Sequence, residues 1–469
     1  MTSFNTVGFT GNQNIDGVLS GARWDALNLT YSFPQHASFY GGGYGLGEPQ
    51  NGFETLNPDQ MAAARKALEM ISAVTDLAFS ELVETETSHA TLRMAMSDKP
   101  ESAWTYIPGA GQESGDSWFG NSSGLYDAPK PGNYAFYTFM HEIAHSVGLK
   151  HGHEAGAAGA MTGSHDSMEY SVTTYRSYVG ADGLHVENEA SGYAQTLMMY
   201  DIAALQHMYG ANFDTQGGNT VYRWDAATGQ AFVNGVGQGM LAGNRIFRTV
   251  WDGGGIDTYD LSNYATNLKI DLRPGEWSTL SSAQLAHLGS GHYARGNIAN
   301  ALLYHGDRRS LIENATGGAG ADQIVGNAVA NQLVGGSGGD RLQGREGDDV
   351  LKGGSGNDVL AGGAGRDSFM FDTKPSTSAN RDQIVDFSVV DDTIRLENAV
   401  FTKLTKTGSL SSAAFWTGTS AHDASDRIIY NKSTGALFYD ADGSERGAAV
   451  HFATLTKDLK MAAADFHVV

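Results

Sequence analysis

Apolar positions divide the chain into two textures. From about residue 21 to 212 they recur with helical spacing in some segments and alternate in others, the mixture of an α+β domain. Asn57 to Leu77 puts Met61, Ala64, Leu68, Ile71 and Val74 on one face, with Asn57 or Asp59 able to cap the first turn, which predicts a packed helix. Ser88 to Met96 alternates and predicts a strand, while Asn133 to Val147 and Ala194 to Tyr209 predict two more helices. After about Asp214 helical periodicity largely stops. Short apolar runs then alternate with glycine turns, and a nine-residue period sets in at Gly317, Gly326, Gly335, Gly344, Gly353 and Gly362. From Phe371 to Val469 short apolar runs such as DQIVDFSV and DRIIYN predict an all-β tail.

Composition sharpens this division. A chain of 469 residues suggests two or three domains. Thirty basic against fifty-two acidic residues give 30 − 52 = −22, a field that repels nucleic acid and anionic membranes and attracts cations. With no cysteine, disulfides, thiolate ligands and cysteine nucleophiles are excluded, so a metal would be held by His, Asp or Glu. The first residues, MTSFNTVGFTGNQNIDGVL, lack the basic start and continuous apolar run of a signal peptide, and no stretch is long and apolar enough to predict a membrane span.

Residues 141 to 151 read HEIAHSVGLKH. On a helix His141 and His145 project from one face, and Gly148 suits a left-handed turn that returns His151 as a third ligand. Three ligands leave one position for water, and Glu142 is placed to accept its proton. The added glycine and third histidine lower the chance of an accidental match to about one in ten thousand, so the motif is read as a zinc site. His89, His153, His165 and His185 lack this spacing and read as ordinary surface or packing residues.

The glycine repeats carry a second chemistry. GGSGGDRLQ, GREGDDVLK, GGSGNDVLA and GGAGRDSFM fit GGxGxDxUx, with Asp340, Asp349, Asp358 and Asp367 facing calcium and Leu342, Leu351, Leu360 and Phe369 facing the core. GGAGADQIV also fits through Asp322, whereas GNAVANQLV carries Asn331 and predicts a weaker site. Gly335, Ser337 and Gly339 spell the GxSxG of a serine hydrolase, but inside the repeat they lack the strand-to-helix elbow that motif needs.

The zinc motif, WFGNSSG before it, MEYSVTTYRSYVG and YAQTLMMYDIAALQHMYGAN after it, and the repeats together resemble the serralysin family of metzincin proteases. The resemblance implies a multidomain chain: a propeptide-like segment at 1–18, an α+β protease domain at 19–214, and an all-β parallel β-roll and β-sandwich domain of the RTX type at 215–469. Its repeats would span 317–370 and a secretion-signal region about 410–469. It implies a secreted zinc- and calcium-dependent metalloendopeptidase, exported by a type I secretion apparatus from a Gram-negative bacterium. Protein or peptide substrates, a proteinaceous inhibitor and a monomeric state are the implied partners and assembly.

It further implies that Ala90, Leu92 and Met94 belong to a rim strand that pairs with substrate, and that Tyr175 stabilises the oxyanion. Asp252, Gly254, Gly255 and Asp257 would form a calcium loop joined by Glu313, Gly318, Gly320 and Asp322. The chain departs from the family at Thr173, where a methionine normally forms an apolar floor beneath the histidines. The alternative reading is therefore a secreted calcium-binding RTX protein with a weakened or inactive protease domain. The terminal DFHVV resembles the family's secretion tail and also reads as a final strand.

Overall fold

In the computed structural model, which describes residues 3–183, 185–376 and 378–469, the two textures become two units with separate hydrophobic cores. The first opens with β1 (Phe4–Thr6), α1 (Gln13–Asp16) and β2 (Ala22–Trp24), the two strands pairing antiparallel. Asp16 is buried and accepts the Thr10 and Gly11 N–H groups, while Val18 and Leu19 lie in the first core. Lys150 Nζ donates to the Gly17 and Glu154 carbonyls, tying this segment to the chain beside His151. Residue 18 is therefore not a structural boundary.

A five-stranded sheet follows from β3 (Asn28–Ser32), β4 (Ala78–Glu81), β5 (Leu92–Ser97), β6 (Ala103–Thr105) and β7 (Ser117–Gly120), in the order β4-β3-β5-β7-β6. Only the β6–β7 pairing is antiparallel. Helix α2 (Pro58–Val74) starts at a capping box, in which Asn57 Oδ1 accepts the Gln60 N–H and Gln60 Oε1 accepts the Asn57 N–H. Helix α3 (Tyr134–Ser146) is capped by Asn133 and buries nearly every side chain, with Phe139 stacked on Phe119 at 4.1 Å. Helix α4 (Met199–Tyr209) completes the layer.

Gly148 ends α3 at φ +112°, and a Cβ there would collide with the Ala22 carbonyl oxygen, so both the backbone angle and the packing require glycine. The expected boundary near 214 shifts as well. Phe247, Trp251, Leu288 and Ala299, which follow residue 214, belong to the first core.

In the second unit alternate repeats fall into two sheets. Gln332–Ser337, Val350–Ser355 and Ser368–Phe371 pair in parallel in one, and Gln323–Val325, Arg341–Glu346 and Val359–Ala364 in the other. The register is two repeats per turn: Leu333 faces Leu351 and then Phe369, while Ile324 faces Leu342 and then Leu360. All six are buried, forming the axial core of a β-roll. The final strand Phe466–Val468 pairs with Thr393–Leu396 and buries Phe466 and Val468, so the terminal tail is part of the folded sheet. Among the described residues no helix is long and apolar enough to cross a membrane.

Leu351 sits in the middle of this stack with no exposed surface. Leu351→Ala should destabilise the second unit by about 2–5 kcal/mol, read as a lower denaturant midpoint in saturating calcium, with the first unit's transition less affected.

Candidate metal centre

Helix α3 projects His141 and His145 from one face, and the turn at Gly148 brings His151 back to them. The three Nε2 atoms lie 3.0, 3.1 and 3.3 Å apart. Each ring is fixed from behind through Nδ1: His141 to the Val172 carbonyl at 2.7 Å, His145 to the Leu149 carbonyl at 2.9 Å, His151 to Glu154 Oε1 at 2.8 Å. With Nδ1 the donor to its acceptor, Nε2 carries a lone pair in each ring.

Burial, followed by the neighbouring imidazoles, holds His141 well below the usual histidine range and takes His151 down to about 2; burial also lowers His145. Neutral rings with converging lone pairs are the state a metal requires. Tetrahedral coordination at nitrogen distances of ~2.0–2.1 Å spaces ligands by about 3.3 Å. The donor set fits a small divalent ion.

Glu142 is buried one residue along the helix, and burial raises its carboxyl to about 8 against the opposing bond from Thr105. The Thr105 hydroxyl, on β6, donates to Glu142 Oε2 at 2.9 Å. The Tyr175 ring lies 4.3 Å from His151 and 5.9 Å from His141, with burial lifting its hydroxyl to about 12. His153, read as an ordinary surface or packing residue, packs against Tyr175 at 5.0 Å. Two hollows of about 380 and 320 Å³ flank this group, and both are lined by Ala103, Glu142 and Tyr175. Among the described residues before Val18, none lines either hollow.

The rim assignment is corrected. Leu92 and Met94 are 1% exposed on β5, a strand paired on both sides, and Ala90 precedes it at 9%. None of the three lines the hollows beside Glu142, and Ala90 lines a separate cavity of about 760 Å³. The free edge beside Glu142 is β6, which has only three residues and no strong alternation to announce it.

Thr173 is fully buried, and its hydroxyl has partners: it donates to the Lys150 carbonyl at 2.8 Å and lies 2.9 Å from Ser171 Oγ. Ser171 Oγ donates to Asp201 Oδ1 at 2.6 Å, and Asp201 Oδ2 accepts the Val172 N–H at 2.8 Å and the Met198 N–H at 2.9 Å. Asp201 on α4 thus fixes the turn whose Val172 carbonyl holds His141, and Thr173 fixes the residue before His151. Sequence alone gave Asp201 no role, although a carboxylate near the start of an apolar helix signals a local anchor.

The repeats bring carboxylates together in rows. Asp340, Asp349, Asp358 and Asp367 each use Oδ1 to accept a backbone N–H eighteen residues earlier, at 2.7 to 3.0 Å. Their Oδ2 atoms are buried without a hydrogen-bond partner. Burial raises Asp340 and Asp349 to about 7 and Asp367 to about 6. Asp382 and Asp392 continue the rows, accepting the Asp358 and Asp367 N–H groups across 24 and 25 residues. That lengthened spacing hides them from a nine-residue register. Asn331 satisfies its own amide through Asn327, so this turn lacks the unpaired oxygen.

The proposed joint loop divides in two. Asp252 accepts the Gly254 N–H, Asp257 Oδ2 is unpaired, and Glu313 accepts the Asp257 N–H, which gathers these residues with Gly254 and Gly255. Asp322 instead accepts the Gly318 and Leu268 N–H groups and donates its own N–H to Asp340. It belongs with the roll, as does the Gly318 to Gly320 turn, because parallel pairing sets its neighbour eighteen residues ahead.

Residues 211–411 match the family model described as Peptidase M10 serralysin C terminal. The chain is similar to metallopeptidase AprA of Pseudomonas marginalis, 32% identical over 64% of this chain and 60% of that protein. Serralysin A of Dickeya chrysanthemi is 32% identical over 64% of this chain and 58% of its own length. A serralysin C of the same organism is 34% identical over 64% and 59%. The chain thus spans about three fifths of the length of these relatives.

Thr173→Val keeps the shape at the floor of the site but leaves the Lys150 carbonyl without its donor. A loss of about 1–3 kcal/mol is expected, measured by chemical denaturation of the full chain; unchanged stability would mean that the hydroxyl does not anchor the turn.

Proposed function

We propose that the chain, whose residues 211–411 match the serralysin C-terminal model and which is 32–34% identical to serralysins over 64% of its length, belongs to the serralysin family and is a secreted zinc- and calcium-dependent metalloendopeptidase. The observation that carries the reading is the convergence of three neutral imidazoles beside a buried carboxylate at the free edge of a sheet. His141, His145 and His151 would hold zinc, which supplies Lewis-acid polarisation and a lowered water pKa.

The chain's own groups perform the remaining work. An extended peptide adds to the free edge of β6, which aligns its backbone past Glu142. One oxygen of Glu142 accepts a proton from water as the water oxygen bonds to the peptide carbon. Thr105 holds the other oxygen and orients the carboxylate. Glu142 then delivers the proton to the amide nitrogen as the C–N bond breaks, leaving a carboxylic acid and an amine. Tyr175 hydroxyl, at the mouth of both hollows, donates to the carbonyl oxygen as negative charge develops on it.

Thr173 is the sole sequence argument for the rival reading, a calcium-binding RTX protein with a disabled protease domain. Its buried hydroxyl is paired and the three histidines remain converged, which favours a competent site.

The unpaired Asp340, Asp349, Asp358 and Asp367 oxygens support calcium in the roll, joined by Asp382 and Asp392 at its end. Cation binding removes the repulsion between buried carboxylates, so the second unit would close at extracellular calcium and remain loose where calcium is scarce. That behaviour suits export as an unfolded chain by a type I apparatus. A proteinaceous inhibitor would occupy the same β6 edge.

Glu142→Ala should lower casein cleavage by about 10²–10⁴-fold while bound zinc, measured by elemental analysis, stays near one per chain. Parental cleavage rates in that variant would remove Glu142 from the mechanism. Stripping calcium with EGTA should abolish the cooperative unfolding transition of the second unit, with recovery over about 10⁻⁴–10⁻³ M calcium. A transition indifferent to EGTA would rule out calcium as its stabiliser.

A further inference from the structure

The two hollows beside Glu142 differ in what holds their walls. Ala103 of β6 and Tyr134, Tyr137 and Thr138 of α3 line the larger one, of about 380 Å³, and the segment after Tyr175 closes it with His185 and Val186. Helix and sheet hydrogen bonds fix the first four. No described residue from 178 to 198 lies in a helix or strand, so this last wall has no backbone ladder of its own and depends on tertiary contacts.

Those contacts come from a hairpin 98 to 103 residues onward. Its strands His287–Gly289 and His292–Tyr293 pair antiparallel, and Leu288 is fully buried in the first core, against which Tyr178 and Val186 also pack. The hairpin holds Glu189 twice: the Glu189 N–H donates to the His287 carbonyl at 3.0 Å, and Glu189 Oε1 accepts the His287 N–H at 3.0 Å. Arg245 engages the same carboxylate through Nε and a terminal nitrogen. The Ser290 hydroxyl donates to Glu187 Oε2 at 2.7 Å, and the His292 ring stacks on Tyr178 at 3.8 Å. Gly289, at φ +93°, comes so close that a Cβ there would lie 2.5 Å from the Glu187 Cβ, so the approach of the two segments requires glycine.

The contacts at Tyr178 on one side and at Glu187 and Glu189 on the other bracket His185 and Val186. A segment without regular structure opens locally at little cost unless distant groups hold it, and the hairpin supplies those groups. We propose that residues 287–293 form a positioning clamp for the wall made by His185 and Val186, so that the cleft's choice of peptide side chain in the larger hollow depends on the second unit as well as on α3 and β6. The inference rests on the metalloendopeptidase reading and deepens it: Tyr134, Tyr137 and Val186 suit an apolar side chain, and the clamp keeps Val186 where that side chain meets it. The smaller hollow has no residue from 176 to 198 in its lining, so it supplies an internal control.

The double variant Ser290→Ala/His292→Ala, made in the full chain and saturated with calcium and zinc, tests the clamp; both side chains are exposed, so the cores stay intact. Substrates are fluorogenic peptides that carry Leu or Gly at each of the two positions flanking the scissile bond. The preference for Leu over Gly should fall about three- to tenfold at one position and stay unchanged at the other. The change should enter through KM, with kcat and bound zinc held. Ser290→Ala combined with His292→Phe, which keeps the ring stack, should recover part of the preference. Amide exchange across residues 185–189 should quicken about tenfold in the double alanine variant, with α3 unchanged. In an active chain, an unchanged preference, an equal loss at both positions or a loss of zinc overturns the clamp. A parent chain that cleaves none of the peptides removes the metalloendopeptidase reading instead, and exchange then decides the clamp alone: faster exchange supports it and unchanged exchange overturns it.

Discussion

Three imidazole lone pairs held within 3.3 Å of one another repel unless a cation stands among them, and much of the first unit is arranged to keep them there. The same constraint recurs in the second unit, where single carboxylate oxygens of successive repeats are buried unpaired in rows. In both places backbone hydrogen bonds orient one side of each group and leave the other side facing its like. Burial has already removed the water that would otherwise solvate those acceptors. Under the proposed reading, cation binding and folding would be linked in both halves of the chain.

Support for the histidines comes from several elements at once. The Val172 carbonyl that holds His141 depends on Asp201 of α4, and the peptide before His151 depends on Thr173. Helix α4 in turn lies in a core shared with Phe247 and Trp251 of the second unit. Thr173 replaces an apolar contact with a directional one: a hydroxyl fills less volume than a thioether chain but fixes the backbone it bonds. The floor of this site is built from hydrogen bonds to a buried aspartate.

The β6 edge shows how strand order leaves a backbone edge open beside Glu142. β5 is longer and more regular in pattern, but its neighbours β3 and β7 occupy both its edges. β6 is open because it turns back antiparallel at the end of the sheet, and its Thr105 reaches Glu142 from there. A strand's place in the sheet, not the strength of its pattern, determines which backbone remains available.

The local and periodic features were legible in the sequence. Helices α2 and α3 are written in their apolar spacing and Asn caps, the three converging histidines in a spacing tied to one helix face and one glycine turn, and the roll in a register that repeats every nine residues. Each depends on contacts between residues near in sequence or at a constant interval, so a one-dimensional pattern can encode it. The open strand edge, the Asp201 to Thr173 network, the continuation of the rows through Asp382 and Asp392, the separation of Asp322 from Asp257 and the shared core across residue 214 were decided only in three dimensions. These depend on which distant segments meet, and packing and sheet order set those meetings without a fixed interval along the chain.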